Sequence, residues 1–145
     1  MPILGMWYNE LGSMLEIASA SNGALVGTYC SAVGQAQFTY ALSGRCDAAP
    51  SPGGKSLGWT VAWMNEHGNA HSTTSWAGQY QTDPKTGSEQ IYTFWLLVTE
   101  EPSNKDWAAT NVGQDTFTRV PPDMVKVEQA RKRPASQPFA NTPRT

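Results

Sequence analysis

Turn-forming residues punctuate this sequence at nearly even intervals. They are Asn22-Gly23, Gly34, Pro50-Ser51-Pro52-Gly53-Gly54, His67-Gly68-Asn69, Asp83-Pro84-Lys85-Thr86-Gly87 and Glu101-Pro102-Ser103-Asn104. Spacings of roughly 8 to 12 residues between such signals belong to all-β sandwiches and barrels. About eight strands fit between them, near residues 5–10, 13–20, 24–31, 37–46, 56–65, 70–81, 89–99 and 107–119. Each connection is too short for the dozen or so residues of a parallel crossover, so consecutive strands are antiparallel neighbours. The expectation is an all-β fold, an eight-stranded antiparallel up-and-down β-barrel whose closure removes its edges.

A chain of 145 residues with 39% hydrophobic residues has room for one core. Lys+Arg 10 against Asp+Glu 12 leaves a net charge of -2, without the basic footprint of a nucleic-acid binder. No apolar run approaches the roughly 20 residues of a membrane-spanning helix, and Met1 to Gly5 is too short and uncharged for a leader. Neither nucleic acid nor membrane is an expected partner. The chain reads as soluble, and either intracellular or secreted with its leader removed.

Cys30 and Cys46 form no C-x-x-C pair. They are either two free thiols or one bridge. In a hairpin of 24–31 and 37–46, Cys30 faces a position near Thr39 while Cys46 lies at the far end, which favours free thiols. Residues 1–4 read as an extension and 5–120 as the barrel. After Pro121-Pro122, Asp123 can cap a short helix within 121–133, with Lys126, Arg131, Lys132 and Arg133 towards its C-terminus. Residues 134–145 read as a disordered tail.

Alternation along the strands shows which side chains share a face. Leu57, Trp59, Val61 and Trp63 share one parity, as do Ser72, Thr74, Trp76 and Gly78, and again Thr93, Trp95 and Leu97. Trp7, Asn9 and Leu11 are in phase, and so are Tyr29 and Ser31. Indoles and hydroxyls therefore line the same surface. An ordinary core excludes unpaired hydroxyls, whose burial costs about 1–3 kcal/mol each. The mixture describes a cavity with apolar walls and a few convergent polar groups, made for a small ligand. Alternatively, the six Trp residues fill a barrel core and the hydroxyls pair with one another or with buried water.

The residues that carry this pattern also carry a resemblance. Trp7-Tyr8-Asn9-Glu10-Leu11-Gly12-Ser13, Gly27-Thr28-Tyr29-Cys30-Ser31-Ala32-Val33-Gly34, Leu57-Gly58-Trp59-Thr60-Val61-Ala62-Trp63, and Asn69-Ala70-His71-Ser72 leading to Trp76 are four such stretches. Trp95-Leu96-Leu97, Trp107 and Val112-Gly113-Gln114-Asp115-Thr116-Phe117-Thr118 continue in the same order. From about Gly5 to Val120 the sequence resembles the avidin and streptavidin family of biotin-binding proteins, and most of all its streptavidin branch. Eight-stranded barrels can hold one small ligand, a generalisation for which streptavidin is itself one of the examples.

The resemblance implies high-affinity, non-covalent biotin binding and vitamin sequestration, with no catalysis and no cofactor. It implies that Asn9, Ser13 and Tyr29 donate to the ureido oxygen, and that Ser31 and Asp115 accept from the ureido N–H groups. It sets Thr74 opposite the ring sulfur, Trp63, Trp76 and Trp95 around the bicyclic body, and Ser72 at the carboxylate. Leu11, Ala70 and Leu97 complete the wall. The segment Ser31 to Gln37, including Val33, Gly34, Gln35 and Ala36, matches the family's lid. Trp107 matches a Trp contributed by a neighbouring subunit, which implies a homotetramer built as a dimer of dimers. Four departures stand out. Gln35 replaces an Asn near the carboxylate, Asn111 stands where an apolar residue is usual, and Gln114 replaces a His; the last two lie in stretches that contribute to subunit packing. Arg45-Cys46-Asp47 interrupts an Arg-Tyr-Asp.

Two other readings compete. Gly5-Met6-Trp7 also fits the Gly-x-Trp opening of a lipocalin-like carrier of a hydrophobic ligand, although such a carrier needs no Asn9, Ser13, Tyr29, Ser31, Thr74 and Asp115 inside. An enzyme finds less support. His67, His71 and Glu66 suggest a metal site only loosely, since His71 has the outward parity. Asp115 is a lone inward carboxylate without a second acid–base group.

Overall fold

The computed structural model describes residues 2–32, 39–49, 54–64 and 71–132, with the backbone alone for Asp106, Trp107 and Ala108. Eight strands follow one another around a closed barrel: β1 (Gly5–Tyr8), β2 (Met14–Ser19), β3 (Ala24–Cys30), β4 (Tyr40–Cys46), β5 (Gly54–Trp63), β6 (Ser72–Thr82), β7 (Glu89–Thr99) and β8 (Thr110–Thr118). Every neighbouring pair is antiparallel, and Tyr8 opposite Thr118 closes the ring between β1 and β8. This is the up-and-down order that short connections require. At the β2–β3 connection Asn22 adopts φ 54°, the positive-φ backbone for which Asn is the best suited non-glycine residue. The Tyr29–Tyr40 register sets Cys30 opposite Thr39, and both thiols are free.

Strand alternation sorts the side chains as the sequence pattern demands. Leu57, Trp59, Val61 and Trp63 are buried, while Thr60, Ala62 and Met64 are exposed. The wholly buried apolar residues Trp7, Leu15, Ile17, Leu25, Ile91 and Phe117 form the core together with Ile3. Ile3 lies within the stretch that the sequence suggests is an extension. Its carbonyl accepts the Trp7 indole N–H at 2.9 Å, which fixes the first residues onto the barrel.

Arg119, just past β8, closes this end. Its guanidinium lies 3.7 Å from the centroid of the Trp7 ring. It also donates to the carbonyls of Pro2, Leu4 and Met6 and to Glu89. A planar fork of five donors is suited to gathering several acceptors in this way.

Beyond the barrel runs a helix, α1 (Met124–Lys132). Asp123 caps it, its carboxylate accepting from Lys126 N at 2.8 Å and its carbonyl from Val127 N at 3.0 Å. The segment from 134 onward lies outside the described residues.

Candidate functional site

Register stacks the candidate residues in rows across the barrel wall. Trp59 faces Trp76, Trp76 faces Trp95, and Trp95 faces Gly113, so three indoles and one bare glycine lie side by side over β5 to β8. Gly113 has a steric reason to be glycine: any Cβ there would overlap the Trp95 ring. On one side of this row sit Val61, Thr74, Leu97 and Asn111, and on the other Gly78, Thr93 and Asp115. Trp63 pairs with Ser72, which in turn pairs with Thr99.

Asn9 sits in the β1–β2 turn, and its side chain is nearly inaccessible. Its Oδ1 accepts from Leu11 N at 3.0 Å and Ser13 N at 2.9 Å, a turn-forming arrangement typical of Asn. Both acceptor lone pairs are thereby engaged, and the amide nitrogen is directed inward, 3.5 Å from the Tyr29 hydroxyl. Ser13 is similarly committed. Its Oγ accepts from Ala32 N at 3.0 Å and it is hydrogen-bonded to Tyr29. The turn therefore brings two hydrogen-bonding tips, Asn9 and Ser13, to the hydroxyl of Tyr29 on β3. Burial, followed by the nearby Asp115 charge, pushes the Tyr29 hydroxyl well above its ordinary range, so it stays protonated and able to donate.

Asp115 accepts from the Trp76 indole at 2.9 Å, and also from Asn9 and Trp95. Its own carbonyl accepts from Thr93 Oγ1 at 3.0 Å. Burial raises the Asp115 pKa, and the three donors oppose that rise without cancelling it. A carboxylate has about four acceptor positions, so three donors leave one position for an N–H brought by a ligand. Thr74 Oγ1 accepts from the Trp63 indole at 2.7 Å, which leaves its hydroxyl proton for another partner.

Rings enclose these tips. Tyr29 lies 4.9 Å from Trp76 and 5.7 Å from Trp63, and Trp59 stacks on Trp76 at 5.6 Å. Tyr40 packs edge-on against Trp63 at 5.1 Å, and Phe117 does the same to Trp59 at 5.6 Å. Tyr40, Trp59 and Phe117 were not among the residues expected to form the site. Inward parity marks Trp59 in the sequence, whereas Tyr40 joins the cluster only through its register with Tyr29.

Of the expected site residues, Asn9, Ser13, Tyr29, Trp63, Thr74, Trp76 and Asp115 are buried, and Leu11, Ser31, Ser72, Trp95 and Leu97 are half-buried around them. Val33, Gly34, Gln35, Ala36 and Ala70 lie outside the described residues. So does the Trp107 side chain, whose backbone runs in the short 3-10 stretch Ser103–Ala108. His71 is exposed and faces Glu100 at 3.7 Å, on the outside of the barrel. Among the described residues no three His, Cys, Asp or Glu side chains gather as metal ligands.

Comparison with known proteins agrees with this geometry. The sequence profile of the avidin family matches residues 1–120. Chicken (Gallus gallus) avidin is 33% identical over 129 residues, covering 81% of this chain and 78% of avidin. Avidin-related protein 4/5 of the same species is 35% identical over 124 residues, covering 81% and 77%. Afifavidin of Afifella pfennigii is 30% identical over 120 residues, covering 79% and 67%. With the closed eight-stranded barrel and its indole-walled interior, these matches show that the chain belongs to the avidin family.

Proposed function

We propose that this chain is a non-enzymatic binding protein whose barrel holds biotin with high affinity and so sequesters the vitamin. One observation carries the reading: the Asn9 amide and the Ser13 and Tyr29 hydroxyls gather beside the buried acceptor Asp115, to which Asn9 itself donates, among the indole rings. A cyclic urea has the complementary pattern, one strong acceptor oxygen flanked by N–H donors. Donors fixed on that oxygen draw electron density toward it and make the N–H groups better partners for Asp115 and Ser31. Because each tip is already held by the protein, binding orders little that was free. The interior carries five buried polar side chains, Asn9, Ser13, Thr74, Thr93 and Asp115, more than a carrier of a purely hydrophobic ligand calls for.

Assembly into a homotetramer, with Trp107 shared between subunits, belongs to the same proposal. The outer face of β7 supports it, since Phe94, Leu96 and Val98 stand in a row at 45%, 45% and 44% exposure. Isothermal titration with biotin tests the function, with one site per chain expected. Absence of heat with biotin, together with binding of a fatty acid, would overturn the proposal in favour of the carrier.

A further inference from the structure

Helix α1 is polar almost throughout. Met124 and Val125 point into solvent at 71% and 66% exposure, and Val127, at 5%, is its one buried residue. Nine residues are too few for a helix to stand alone in water, so α1 is held by its cap and by this single docked side chain. Val127 docks at an informative place. A methyl group built on Gly12 would lie 3.9 Å from Val127 Cγ2 and 4.0 Å from Ala32 Cβ, so the helix, the β1–β2 turn and the exit of β3 meet at one point. The β1–β2 turn and the exit of β3 are joined beside Val127 by the bond from Ala32 N to Ser13 Oγ. That bond occupies an acceptor position of Ser13 and thereby helps fix where its hydroxyl proton points.

Resting on the proposed biotin site, we propose that Val127 is a positioning residue for that site. By holding Ala32 against the Gly12 turn, it keeps the Ala32 amide on Ser13 and the Ser13 proton on Tyr29. Val127 touches no ligand and acts entirely through Ala32 and Ser13. Replacing it by Ala removes two methyl groups from the one buried side chain of α1, which loosens the Ala32–Ser13 bond while the barrel core, formed by other residues, stays intact.

Two measurements on the full chain test this. Amide hydrogen exchange of ligand-free protein should show Ala32 N–H exchanging about tenfold faster in Val127→Ala, with Val127→Ile restoring protection. Biotin release should be about fivefold faster in Val127→Ala, and this increment should vanish in a Ser13→Ala background, because a residue that acts through Ser13 has nothing left to position once the hydroxyl is gone. An unchanged Ala32 exchange rate overturns the inference. So does faster exchange without faster release, or an increment that persists in Ser13→Ala. If the wild type gives no heat with biotin, the proposed function fails, and with it the part of this inference that concerns release; the exchange measurement still decides whether Val127 holds the Ala32–Ser13 bond.

Discussion

The indole of Trp76 donates to the carboxylate of Asp115 across the barrel, at 2.9 Å between residues 39 apart in sequence. One bond thus joins an inward-facing ring of β6 to the buried acceptor on β8. It fixes the carboxylate before any ligand arrives, while Trp59 stacks on the same indole and Tyr29 lies tilted against it.

Replacing Asp115 by Ala leaves the Trp76, Asn9 and Trp95 donors and a ligand N–H without their acceptor. Biotin should bind at least about 2 kcal/mol more weakly, seen chiefly as faster release. Radiolabelled biotin chased with unlabelled vitamin measures it, and an unaltered release rate would count against the role assigned to Asp115.

The Asp115 pKa is raised in the folded, ligand-free chain, so the native state holds this proton more tightly than the unfolded state does. Stability contributed by the group is full below its ordinary value and declines as pH rises through the raised value. Asp115→Asn should therefore raise the melting temperature of ligand-free protein above that window and leave it unchanged below. Melting curves across acidic and neutral pH decide, and equal shifts at all pH values would refute the linkage.

Affinity should move the other way. A ligand N–H donating to the carboxylate favours its charged form, so the pKa falls on binding and affinity weakens as pH drops through the free-state value. Titrations on either side of the Asp115 transition should show proton release on binding only near and below it, and Asp115→Asn should abolish that release.

Arg119→Ala removes the cation stacked on Trp7, the bonds to the carbonyls of Pro2, Leu4 and Met6, and the ion pair with Glu89. A loss of about 2 kcal/mol in unfolding free energy is expected, with the N-terminal residues becoming accessible to protease. Biotin affinity should change little, because Arg119 makes no contact with the polar tips of the cavity. Stability equal to the wild type in a urea titration contradicts this account.

Under the proposed sharing of Trp107 between subunits, Trp107→Ala should speed biotin release and shift gel-filtration elution towards smaller species. Elution of the unmutated protein as a monomer would remove the basis for that sharing.

Strand alternation is local chemistry, repeated every two residues, and it was legible in the sequence. The inward phase of Trp59, Trp63, Thr74 and Trp76, and the antiparallel order implied by short turns, needed no knowledge of distant contacts. Family resemblance supplied the roles. Neither source could show that Asn9 Oδ1 is occupied by two turn amides so that its nitrogen faces inward, that Ile3 belongs to the core, or that Tyr40 completes the ring cluster. Nor does any pattern near residue 127 predict that one valine of a polar helix reaches Gly12 and Ala32. Which face a side chain takes follows from its own position in the strand, but the direction of its proton and the shift in its pKa depend on which distant groups closure of the barrel brings within about 3 Å.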